Sequence, residues 1–209
     1  MVVNARTGYN APMTGLTDFI APRFTDALDV EGMKRLVPAN ATCKGLVAES
    51  ALDALRAARL PLPPVKFVAF RDYPLIDVMD LFVAAAITLS PGVPLRTALR
   101  TLGNGLFPKF TNSLLGRVMY GVFGGNVMAI LRLANKSFEQ TQNTGKLSTH
   151  VLDRTSVRLG FSTTYTFLDS YHVGVVEGTL KACGVDGEVL VKMTSPTDGD
   201  MLVRWTPKS

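Results

Sequence analysis

Cysteine and histidine are scarce in this chain, with two of each in 209 residues. A scaffold stapled by disulfides needs several more cysteines. Neither histidine lies near Cys43 or Cys183 in the sequence, so a structural zinc site of ordinary spacing is excluded. Long apolar runs are missing too. The longest uncharged stretch, between Arg117 and Arg132, is interrupted by Gly121, Gly124 and Gly125, and a spanning helix needs about 20 apolar residues. The N-terminus shows no apolar segment behind a basic start, so it does not read as a secretory signal. These absences predict a soluble, cytoplasmic protein. Charged residues amount to 19% and hydrophobic ones to 47%, which excludes a disordered or low-complexity chain. The length suits one ordinary domain with a sizeable core. Mean hydropathy is +0.21, high for a soluble chain, and predicts apolar surface hidden in a homodimer or under a partner.

Acidic residues are absent from Leu81 to Phe138, where Arg96, Arg100, Lys109, Arg117, Arg132 and Lys136 supply the net charge of +5. On either side, acids and bases nearly balance. One reading is an ordinary solvated helical surface. The other is a basic face for an acidic protein, an anionic small ligand or a lipid headgroup. Nucleic acid is the weakest reading, because the bases are spaced and no zinc-finger, cold-shock or RNP-type signature accompanies them.

No catalytic constellation stands out. There is no GxxxxGK[ST] string and no GxGxxG after a strand. Asp77 and Asp80 lie opposite an apolar stripe, and Asp198 and Asp200 belong to a turn. Cys43 and Cys183 read as buried, inert thiols. His172, near a helix start, reads as a neutral, packed histidine, since the helix dipole there disfavours a proton. Metal and cofactor are therefore expected to be absent. A site assembled from scattered residues would draw on Arg71, Asp72, Tyr73, Tyr165, Asp169 and His172. Gly174 and Gly178 stand one helical turn apart, which clears one strip of the helix. Mid-helix glycine costs about 1 kcal/mol against alanine, so that strip predicts a close approach to the sheet or to a second copy of the chain.

The pattern along the chain predicts an α+β fold. Residues 1–22 read as a flexible arm and 23–209 as one domain, with a helical layer over 23–144 and a sheet plus helix over 145–209. Helices are predicted at Thr25–Leu36, from Asn40 or Thr42 to Ala58, and from Asp72 through Ala86. Two more are expected, one closed by Gly103 and one over about Pro108–Val122, before NVMAILRLANKSFEQ. KFVAF reads as a brief extended piece. After Gly145 the period changes to two, giving a hairpin with a second strand reaching Phe167. A helix over about Tyr171–Ala182, capped by Asp169 or Ser170 and closed by Gly184, precedes a second hairpin ending in MLVRW.

The strings NATCKGLVAESALDAL, FVAFRDYPLIDVMDLFVAAA, LLGRVMYGVFGG, SYHVGVVEGTLKACG and MLVRW together resemble a myxobacterial family of uncharacterised proteins, a domain of unknown function with many paralogues. The resemblance covers about residues 38–206 and implies a fold but transfers no catalytic residue. A helical layer followed by hairpin, glycine-bearing helix and hairpin is also similar to the ligand-binding fold of haem–nitric oxide sensors, four-vinyl-reductase-type domains and Golgi-transport subunits. Those sensors hold the haem propionates with Tyr-x-Ser-x-Arg. Here the corresponding string, Phe161 to Phe167, has no arginine, and the helical layer has no histidine for an axial position. Together these readings predict a non-enzymatic ligand-binding or protein-interaction domain, regulatory or scaffolding. Arg71, Tyr73, Arg96, Arg100, Lys109, Arg117, Tyr165 and His172 are its candidate contact residues. The alternatives are an enzyme of scattered site residues and a peripheral binder of anionic membranes. The membrane reading requires Arg96, Arg100, Lys109 and Arg117 to share one exposed face.

Overall fold

The period-two segments after Gly145 form two antiparallel hairpins that join into one sheet. In the computed structural model the described residues are 16–106 and 125–207, and the predicted helix over Pro108–Val122 lies outside them. The hairpins are β3 (Lys146–Asp153) with β4 (Ser156–Ser162), and β5 (Gly187–Met193) with β6 (Gly199–Trp205), in the order β3-β4-β6-β5. Register stacks the apolar positions on one face. Val157 and Val189 both pair with Val203, Leu159 and Val191 both pair with Met201, and Leu147 pairs with Phe161. A one-residue slip would turn all of these outward. Helices α5 (Val127–Thr141) and α6 (Val173–Ala182) cover that face with Val127, Leu131, Phe138, Val173, Val176 and Leu180.

A second core lies in the helices before α5. It joins α1 (Val30–Leu36), α2 (Gly45–Ala57), α3 (Leu75–Leu89) and α4 (Leu95–Asn104). The stripe predicted on α3 is buried at Leu75, Val78, Met79, Phe82 and Ala86. Each large apolar side chain so removed from water contributes about 1.5–3 kcal/mol. The start of α2 differs from expectation. Thr42–Lys44 is extended as β1 and pairs antiparallel with β2 (Asp72–Pro74), Cys43 opposite Tyr73. The helix therefore begins at Gly45, and Asp72-Tyr73-Pro74 is a strand that leads into α3. Arg59 ends α2 in the left-handed region, at φ 56, with Leu60 N–H donating to Leu55 C=O at 3.0 Å. This is a Schellman-type closure, with the prolines beyond it preventing any restart. KFVAF forms no strand.

Three further boundaries move for physical reasons. The helix of LRTALRTLGN runs through Gly103 to Asn104, so Gly103 is an interior residue and not a closing one. β4 stops at Ser162, because Thr163 (φ 50) turns left-handed. Its N–H donates to the Asp198 carboxylate at 3.0 Å, and Thr164 N–H donates to Thr197 C=O at 2.9 Å. Finally, a π-helical turn, Leu168–His172, precedes α6, entered through Phe167 at φ 58. Asp169 and Ser170 sit inside that turn and do not cap the helix. The helix does close at Gly184 (φ 66), with Val185 N–H donating to Leu180 C=O at 3.2 Å.

Part of the predicted arm is anchored. Ile20 pairs with Val191 on the free edge of β5, through hydrogen bonds of 2.9 and 2.8 Å. Asp18 holds Lys192 at 2.7 Å. No helix among the described residues is long and apolar enough to cross a membrane.

Candidate functional site at the joint between the two cores

Glycine decides how α4 meets the sheet-side helix α6. A Cβ at Gly174 would overlap the carbonyl oxygen of Arg100, and one at Gly178 would overlap that of Asn104. From the other side, a Cβ at Gly103 would overlap the carbonyl of Tyr171. Three glycines thus bring two backbones into direct contact. The close approach predicted at Gly174 and Gly178 exists, but its partner is α4 of the same chain. Neither the sheet nor a second copy occupies that strip.

Such proximity positions the side chains beside it. Arg100 forks onto Glu177, Nε donating to Oε2 at 2.6 Å and Nη2 to Oε1 at 2.8 Å. One turn earlier, Arg96 pairs with Asp169 of the π-turn. The residues before α1 close over this seam. The Phe24 ring lies under the Arg100 guanidinium, 4.3 Å from centroid to Cζ, and Thr97 Oγ1 donates to Phe24 C=O at 3.1 Å. Arg96 and Arg100 are therefore both engaged in ion pairs within the fold.

The turn itself belongs to both cores. Phe167 and Tyr171 are buried in the helical core, while Leu168 and Val173 are buried in the sheet core. Tyr171 stacks on Phe82 of α3, with ring centroids 4.4 Å apart. His172 lies among Tyr171, Phe161 of β4 and Phe138 of α5, its ring centroid 5.4, 5.7 and 5.9 Å from theirs. Its Nε2 shares a hydrogen bond of 2.7 Å with Thr166 Oγ1. Burial in this apolar setting lowers the His172 pKa to about 4, so the ring is neutral at pH 7. Neutrality follows the sequence reading, with desolvation as its cause. Burial likewise pushes the Tyr171 phenol above its ordinary range and the Cys43 thiol up to about 12. Loss of water is the chief cause of all three shifts, each of which favours the neutral form. A nucleophile or general base would instead need a charged partner tuning it toward pH 7.

The other predicted contact residues divide. Tyr165 packs half-buried against the helical core next to the joint. Arg71 and Tyr73 sit elsewhere, beside the start of α2, with the Arg71 guanidinium 5.7 Å from the Tyr73 ring centre. Lys109 and Arg117 lie outside the described residues. Phe138, Phe161, Glu177 and Phe24 were not among the sequence candidates. A signal for Glu177 was present in the pairing of Arg96 and Arg100, one helical turn apart, with the equally spaced Gly174 and Gly178.

Among solved structures the chain is similar to H-NOX proteins. It matches the Fe(II) unliganded protein from K. algicida with TM-score 0.60 and 10% identity, over 79% of this chain and 97% of that one. For an S. oneidensis H-NOX in the Fe(II)NO ligation state the values are 0.58 and 12%, over 78% and 99%. A single-residue variant of Tt H-NOX gives 0.59 and 13%, over 79% and 96%. At such identity the likeness is one of fold. No curated protein matches the chain at a significant level.

The residues present do not fit a haem. His172 already spends its Nε2 on Thr166 and is enclosed by three rings. His150 is on β3, opposite Arg158. The Phe161–Phe167 string offers no arginine for the propionates. What the chain shares with those proteins is the fold. The family model that matches it, over residues 25–206, is described as a protein of unknown function, DUF2378, and to that family the chain belongs.

Proposed function

We propose that this protein is a non-enzymatic regulatory domain that binds a small apolar ligand or a partner at the joint, on an H-NOX-like fold used without haem. One observation carries the reading: a single turn, Phe167–Val173, sends its side chains into both hydrophobic cores. Interiors pack densely and do not deform smoothly, so a shift of this turn would move α4 and the sheet together. That is the property a domain needs to report an event in one layer to the other. The apolar surroundings of the turn, Phe138, Phe161, Tyr171 and the neutral His172, favour an apolar ligand over a charged one. An anionic one has less support, because Arg96 and Arg100 are engaged by Asp169 and Glu177.

Native mass spectrometry of the purified chain, beside its denatured mass, tests this. A folded mass exceeding a whole number of chains by a small-molecule increment is expected, and Phe161→Trp, which puts a larger ring at the joint, should lower the fraction of molecules that carry it. A bare mass in both proteins would remove the small-ligand reading and leave the partner. The same spectrum counts chains. A two-chain mass would support the homodimer suggested by the apolar composition, and a one-chain mass would end it.

A further inference from the structure

Away from the joint, the segment between α2 and β2 presents apolar side chains to water. Phe70 is 73% exposed, Val68 53%, Val65 48% and Leu62 44%. Exposure here is not looseness. Phe67 is buried edge-on against Tyr73, ring centroids 4.7 Å apart. The Val68 N–H donates to Tyr73 Oη at 2.8 Å. The carbonyls of Arg71 and Ala69 accept from the Gly45 and Leu46 N–H groups, both at 2.9 Å, and so cap the start of α2. The backbone is fixed on the inside while Val68 and Phe70 are directed outward.

Charge accompanies this apolar fringe. Residues 54–71 hold Arg56, Arg59, Lys66 and Arg71 and no acid. Arg56 is neutralised by Glu49 and Asp53 of its own helix, and the neighbouring Asp72 is taken by Lys44. Arg59, Lys66 and Arg71 are exposed beside the apolar residues.

We propose that the 60–71 loop is a membrane-surface anchor: Phe70, Val68, Val65 and Leu62 enter the headgroup–acyl boundary of an anionic bilayer, while Arg59, Lys66 and Arg71 contact lipid phosphates. Protruding apolar tips flanked by cations match such an interface, which is anionic at the surface and apolar just beneath. The preset backbone reduces the ordering cost of binding. This surface lies apart from the joint, and the inference does not depend on a ligand there.

Co-sedimentation of the full chain with phosphatidylserine/phosphatidylcholine vesicles, against pure phosphatidylcholine, is the direct test. Binding is expected on the anionic vesicles only, weakening as salt rises. Phe70→Ser should weaken it about tenfold and the double reversal Lys66→Glu/Arg71→Glu by more, since each cation near such a surface is worth about fivefold. Reversal of the exposed Lys181 on α6 should leave it unchanged. Circular dichroism confirms that each variant folds, as expected for exposed sites. A Phe70→Trp variant reports insertion: brominated acyl chains should quench its emission beyond the contribution of Trp205, measured in the parent protein. No binding to anionic vesicles would overturn the proposal. So would binding that survives Phe70→Ser without quenching, and a loop that instead saturates with an acidic peptide would assign this surface to a protein.

Discussion

The joint around Arg100 and the loop around Phe70 use the same residue types, arginine and phenylalanine, and put them to opposite ends. At the joint each arginine meets a carboxylate that lies 73 or 77 positions away in sequence, and the aromatic rings close on one another. In the loop Arg71 lies over the Tyr73 ring and makes no ion pair among the described residues, and Phe70 faces water. Counting charges along the chain singles out the first of these regions and passes over the second. The block from Leu81 to Phe138 has no acid of its own, yet the fold brings Asp169 and Glu177 onto its two leading arginines. Residues 54–71 look ordinary in such a count, because acids flank them closely in sequence, but Glu49 and Asp53 are both spent on Arg56, and Asp72 on Lys44. Net charge in a block says little about a surface until the ion pairs are known.

The largest effect that would break the joint is a single methyl group. Gly174→Ala gains helix propensity of about 1 kcal/mol but drives its Cβ into the Arg100 carbonyl, a backbone atom that no rotamer change can move. The clash should win, with a net loss of about 3 kcal/mol in urea unfolding. Gly105→Ala, just past the end of α4 with 3.4 Å of room to the Leu102 oxygen and an ordinary φ of −79°, should stay within about 0.5 kcal/mol. Equal costs at the two sites would mean that α4 and α6 are not in backbone contact.

Burial of His172 gives the joint a pH dependence that the loop lacks. In the folded chain its pKa falls to about 4 from an unfolded value of 6.5. Between those values the unfolded chain binds the extra proton, so stability is complete above pH 6.5 and declines as pH falls toward 4. The loss should approach about 3 kcal/mol across that window. The aspartates with lowered values, Asp18, Asp153 and Asp198, titrate below it. Urea midpoints measured from pH 7.5 to 4.5 should therefore slope in the parent protein and flatten in His172→Phe. An unchanged slope in the variant would place the titrating group elsewhere.

Much of the fold was legible, and for a common reason. The stripe on α3 and the alternation in β4, β5 and β6 depend only on neighbours a few residues away, so periodicity reveals them. The short strands β1 and β2 were not legible, because each is defined by pairing with the other across a long gap in sequence, 28 positions for Lys44 and Asp72. The early end of β4 at Thr163 depends on Asp198 and Thr197 in the distant hairpin turn. At the site, Gly174 and Gly178 announced a close approach without identifying its partner. The burial of His172 could be expected, but the rings around it come from Phe138, Phe161 and Tyr171 in three separate elements. Phe70 escaped notice because, in an apolar string such as KFVAF, nothing local distinguishes the buried Phe67 from its exposed neighbour.

The smallest effect sharpens the contrast between the two arginines. Arg100 and Glu177 form a bidentate pair, but the Arg100 side chain is 38% exposed, and solvent screening limits what such a pair contributes. A double-mutant cycle with Arg100→Ala and Glu177→Ala should give a coupling of about 0.5–1 kcal/mol, decreasing as salt rises. The single Arg100→Ala change should cost somewhat more than the coupling, since it also uncovers the Phe24 ring. Arg71→Ala should leave stability within about 0.5 kcal/mol, because its carbonyl, which caps α2, survives the substitution and its guanidinium holds no carboxylate among the described residues. Each arginine then registers in one assay only, Arg100 in unfolding and Arg71 in vesicle binding. If Arg71→Ala destabilised the chain as much as Arg100→Ala, the loop cation would have a structural role and the distinction between the two regions would fail.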